Sequence, residues 1–63
     1  MQVYTIKTIK DIIDSLNINV SGLARSINMP ASTLRAKLSG ERKLNESDRQ
    51  RITKFFTSQN IVL

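Results

Sequence analysis

The chain is 63 residues long, has no cysteine and no histidine, and carries ten Lys and Arg against five Asp and Glu, for a net charge of +5. That length allows one domain, near the lower limit for folding without staples, and the missing residue types exclude disulfides, thiolate metal sites and zinc fingers. No basic-apolar-small leader pattern opens the sequence and no apolar run approaches the roughly 20 residues of a membrane span, so the expected setting is cytoplasmic, with no membrane partner.

Residues 1 to 5 alternate weakly and read as an extended arm or a frayed lead-in. From there Ile6, Ile9, Ile12, Ile13 and Leu16 fall three or four apart, one face of an amphipathic helix that Thr5 or Thr8 caps and Asn17 ends. Asn19 is the N-cap of a short second helix with Leu23, Ala24 and Ile27 on its inner face. Asn28-Met29-Pro30 breaks it, because Asn accepts a left-handed backbone and Pro30 cannot continue a helix begun upstream. Pro is welcome in a first turn, so a third helix runs from about Pro30 to Ser39 and stops at Gly40.

Glu41 to Leu44 read as a basic connector. Asn45 then caps a fourth helix, with Asp48 as a carboxylate variant of the capping box and Ile52, Phe55 and Phe56 on its apolar face. Arg49, Arg51 and Lys54 on this helix are expected to be solvated, and Ser58-Gln59-Asn60 ends it before the apolar tail Ile61-Val62-Leu63. The predicted core is Ile9, Ile13, Leu16, Leu23, Ala24, Ile27, Leu34, Leu38, Ile52 and Phe55. The predicted fold is all-α: one domain over residues 1 to 63, a bundle of four to five short helices with a helix-turn-helix at about residues 20 to 40.

The charge is unevenly placed. Lys7 and Lys10 balance Asp11 and Asp14, whereas residues 25 to 43 carry Arg25, Arg35, Lys37, Arg42 and Lys43 against Glu41 alone. A local excess of this kind is the usual footprint of a phosphate-binding surface, although asymmetry alone also describes a plain solvated face.

The stretch VSGLARSINMPASTLRAKL, Val20 to Leu38, adds a pattern to the charge. Ala24 is small where two helices cross, Asn28 takes the turn four residues later, Leu34 plugs the core and Leu38 follows one turn on. With NMPASTLRAKLSGERKL, this spacing resembles the Cro and lambda-repressor-like helix-turn-helix regulators of phages and bacteria, over roughly residues 6 to 57. The chain departs from that pattern in three places: Asn28 replaces the usual turn glycine, Pro30 stands where a capping Ser or Thr is common, and Lys37 replaces an aliphatic residue, its stem expected to snorkel outwards. The resemblance implies a sequence-specific double-stranded DNA-binding regulator, a Cro-like repressor acting in a bacterial cell or phage-infected host. Having no histidine, cysteine or paired carboxylates leaves little for acid–base or nucleophilic work, so no enzymatic activity, cofactor, metal or small-molecule ligand is expected.

With Leu34 and Leu38 turned inward, 100° per residue places Ser32, Arg35, Ala36 and Ser39 on the outer face of the third helix. Arg35 can bond guanine O6 and N7 together, Ser32 and Ser39 can reach bases or phosphates, and Ala31 and Ala36 can meet a thymine methyl. Lys37, Arg42 and Lys43 lie at the flanks as phosphate contacts, joined by Asn19, Ser21 and the first amides of the second helix. Arg25 reads as a surface or helix-end charge.

Two further questions stay open at this level. The helix-turn-helix can instead be a scaffold that binds another protein, as an antirepressor or inhibitor. One module contacts too little DNA for high specificity, so a homodimer on a two-fold operator is expected, with Phe56, Ile61, Val62 and Leu63 as its interface; the other reading folds the tail over the monomer.

Overall fold

A computed structural model describes residues 2–61 of the chain. Its elements are α1 (Ile6–Leu16), α2 (Val20–Ser26), α3 (Ala31–Ser39) and α4 (Glu46–Ser58), an all-α bundle with no strand among the described residues. α2 packs on α3 and α1 lies against α4. The Cα radius of gyration, 10.4 Å, matches the roughly 11 Å expected of a folded chain of this length, so a single core serves all four helices.

Side-chain caps fix where three of the helices begin. The Thr5 hydroxyl accepts from the Thr8 amide, Asn19 Oδ1 from the Ser21 and Gly22 amides, and Asn45 Oδ1 from the Asp48 amide. Each cap satisfies amides that have no partner inside the helix, typically worth about 1 kcal/mol.

Left-handed residues fix where the helices end. Asn17, Asn28 and Asn60 have φ of 53°, 63° and 59°, and Gly40 has φ of 94°. At each asparagine the chain closes in a Schellman motif, and the next residue is apolar. Ile18 donates its amide to the Ile13 carbonyl at 2.9 Å, Met29 to Ala24 at 2.9 Å and Ile61 to Phe56 at 2.8 Å. The same three apolar side chains then pack on the core. This geometry packs Ile61 in part on its own monomer, as the reading that folds the tail over the monomer expects. Val62 and Leu63, the rest of the expected interface, lie outside the described residues.

The core is built from Ile9, Ile12 and Ile13 of α1, Leu23, Ala24 and Ile27 around α2, Leu34 of α3, Leu44, and Ile52 and Phe56 of α4. Five expectations change here, the first being Ile12, which lay outside the predicted core and is fully buried. Phe56 is fully buried while Phe55 is only half-buried, so the two aromatics exchange their expected roles and Phe56 is removed from any dimer interface. Ile52 and Phe56 are four apart and share the stripe facing α1, whereas Phe55 is turned 100° away. Leu16 is 56% exposed and takes no part in the core. Leu44, hidden in a basic run, is buried and pins the connector between α3 and α4. Leu38 packs at the margin of the core.

Residues 2–5 form an extended arm laid against α4. The Tyr4 amide donates to Thr53 Oγ1 at 3.0 Å, and Arg49 donates to the Tyr4 carbonyl at 3.3 Å. The Tyr4 ring sits 6.4 Å from that of Phe56. Thr53 is buried because it receives the arm, and Arg49 is engaged rather than solvated.

Candidate nucleic-acid interface

The helix-turn-helix is set by steric fit. Ala24 is fully buried where α2 meets α3, and Leu34 is fully buried on the facing side of α3. Between them the turn is fixed by two bonds: the Asn28 amide donates to the Arg25 carbonyl at 3.1 Å and the Met29 amide to Ala24 at 2.9 Å. Gly22 is no close-packing position, since a Cβ there would meet only Asn19 Cβ, at 3.9 Å.

With α3 so anchored, Ser32, Arg35 and Ser39 are exposed. Ala36 is half-buried, and Ala31, also half-buried, packs in part against the core. The Arg35 guanidinium donates to Ser21 Oγ at 3.1 Å, so it leans across to the start of α2 and is held partly in place. Ser39 Oγ donates to the Ala36 carbonyl at 3.0 Å, leaving its lone pairs as its outward-facing function. Pro30 provides no side-chain cap, so the first-turn amides of α3 stay open to an external acceptor.

The start of α2 differs from the expectation. Asn19 takes the Ser21 and Gly22 amides for its own cap, so those donors are not free for a phosphate. What Asn19 and Ser21 still present is the Asn19 side-chain amide and the Ser21 hydroxyl proton. Beyond Gly40, Arg42 and Lys43 are exposed on a segment held from both sides. The Arg42 amide donates to the Ala36 carbonyl at 3.2 Å, and Leu44 is buried just after.

Lys37 departs furthest from the expectation. Its ammonium donates to Asp48 Oδ2 at 2.6 Å and its side chain is only 16% exposed, so it is turned into the protein rather than snorkelling outwards, and its charge is engaged by a carboxylate of the same chain. Arg51 donates to Asp48 Oδ1 at 3.0 Å and, through its other nitrogen, to the Ile27 carbonyl at 2.9 Å. Arg51 is therefore not simply solvated. Together Lys37, Asp48 and Arg51 join α3 and the end of α2 to α4. Burial would raise the Asp48 pKa, but the hydrogen bonds and positive charges of Lys37 and Arg51 outweigh it and hold the carboxyl below its ordinary value of 3.8. Lys37 thus holds its place through a carboxylate of α4 that it shares with Arg51, which nothing within the third helix could indicate.

The outer face of α2 and α3 consequently offers hydroxyl and guanidinium donors, with Arg42 and Lys43 beside it and Glu41 as its nearby acid. Among the described residues no group of three or more His, Cys, Asp or Glu side chains converges as a metal site, and no helix is long and apolar enough to cross a membrane. No protein-family model matches the chain, and searches of curated proteins and of solved structures find no match.

Proposed function

We propose that the chain is a sequence-specific double-stranded DNA-binding regulator, a Cro-like repressor of a bacterial or phage genome that acts by occupying operator DNA as a pair. The observation that carries this reading is the α2–α3 unit: a tight turn on Asn28, Ala24 and Leu34 locked in the core, and Ser32, Arg35 and Ser39 turned to solvent on one face. A helix presented in this way fits the major groove, where Arg35 can donate two bonds to one guanine. Exposed Arg42 and Lys43, on a segment with a fixed path, are suited to the flanking phosphates.

The test is a binding selection on random duplexes followed by titration of the selected site. Arg35→Ala should weaken the selected site by about 1–3 kcal/mol and relax one base preference, leaving random DNA little changed. Arg42→Ala and Lys43→Ala should weaken selected and random DNA alike, each lowering the salt slope by about one unit. No enriched site, together with a salt-independent affinity, would refute the proposal.

A further inference from the structure

The outward stripe of α1 carries Lys7, Lys10, Asp11 and Asp14, all exposed, at the three- and four-residue spacings of one helix face. Within the monomer these charges are badly placed. Lys7 stands in the first turn and Asp14 in the last, each the wrong sign for the helix dipole; α1 has no acid in its first turn and no base in its last. Lys7 precedes Asp11 and Lys10 precedes Asp14 by four, the less favourable order for such pairs. Neither pair closes, since among the described residues the ion pairs are the two made by Asp48. α4 shows the opposite habit, with Glu46 and Asp48 in its first turn.

An arrangement that is poor within one helix is complementary between two. Laid antiparallel about a two-fold axis, α1 of one copy sets Lys7 against Asp14 of the other and Lys10 against Asp11, because both pairs share a midpoint between residues 10 and 11. All four charges then find opposite partners, and each end of the helix dipole faces charge of the favourable sign. We propose that this α1 face is where two copies of the chain associate, as an antiparallel α1–α1 contact.

The adjoining surface fits such a contact. The stripe is one wall of a cleft of about 350 Å³ whose other wall is Leu38, Ser39 and Gly40 at the end of α3. Ile6, 37% exposed, lies along it and supplies apolar area beside the charges. A helix of 11 residues is about 16 Å long, so the contact falls short of the roughly 1,200 Å² of a stable complex. The association is therefore weak and sensitive to salt. It does not depend on the DNA-binding reading, and its test uses no DNA.

The experiment is sedimentation of the whole chain at low salt up to about 1 mM, with two charge-reversed variants. Lys7→Glu with Lys10→Glu makes the stripe wholly acidic, and Asp11→Lys with Asp14→Lys makes it wholly basic. Each variant corrects the dipole mismatch at one helix end, so helicity is retained and checked by circular dichroism. Each alone should associate at least about tenfold more weakly than the unmodified chain, while an equal mixture should recover a heterodimer. An unmodified chain that stays monomeric, a single variant that still dimerises, or a mixture that fails to associate would each overturn the proposal.

Discussion

Replacing Asp48 with alanine removes the carboxylate that Lys37 and Arg51 share, while the N-cap of α4 stays intact because Asn45 bonds the Asp48 backbone amide. The two lost pairs are unequal. Arg51 is 47% exposed, so its pair is screened and contributes about 0–1 kcal/mol. Lys37 is largely enclosed and would be left without its counter-charge; stranding one member of a buried pair costs about 3–5 kcal/mol. Because Lys37 keeps some access to water, the lower end applies, about 3 kcal/mol. A chain of 63 residues at about 0.05–0.15 kcal/mol per residue has only about 3–9 kcal/mol in all. The substitution should therefore lower Tm by about 12–24 °C, or leave the chain largely unfolded. Urea denaturation followed by circular dichroism gives the midpoint and slope. Lys37→Met combined with Asp48→Leu should recover most of the loss, since an apolar pair of similar volume needs no counter-charge. A midpoint unmoved in Asp48→Ala, or a double variant no better than the single, would refute this account of how α3 is held.

The depressed Asp48 pKa gives that pair a pH signature. Its contribution is fully present above the ordinary value of 3.8 and is lost as pH falls through the lower folded-state value, so denaturation midpoints should drop below about pH 4 in the parent and show less of this drop in the Lys37→Met, Asp48→Leu variant. Phe56→Ala should cost about 3–5 kcal/mol in thermal melts at any protein concentration, as expected of a monomer core residue. Asn28→Gly should be close to neutral, whereas Asn28→Val forces a β-branched residue into the left-handed region and should cost more than about 1–2 kcal/mol, read in the same melts.

The helices were legible because their signals are local. Apolar spacing and caps at Asn19 and Asn45 placed the helical segments, and Asn28 and Gly40 marked two of their ends. The pattern of asparagine followed by an apolar residue was equally visible at Asn17-Ile18, Asn28-Met29 and Asn60-Ile61, and read as a Schellman signature it would have assigned Ile61 to the monomer. What local pattern does not carry is partnership across the chain. Phe55 and Phe56 both lie within one turn of Ile52, and only the arm and α1 decide which is covered. Lys37 and Asp48 are eleven residues apart on different helices, so each alone reads as a surface charge. At the candidate site the exposed row Ser32, Arg35 and Ser39 followed from helical period, while the Arg35 bond to Ser21 required the distance between two helices.

The arm's bond from Tyr4 to Thr53 spans 49 residues. α2 and α3 share their core with Ile52 and Phe56 of α4, so a segment that stops short of α4 lacks those contacts. These two short helices cannot hold themselves in water, being below the roughly 12–15 residues an isolated helix needs even in favourable sequences. The helix-turn-helix is therefore stable only with α4 packed against the same core. Closing the arm onto α4 joins Tyr4 to a residue 49 positions away, so partial structures lacking either the arm or α4 gain little, and the domain is expected to fold all at once.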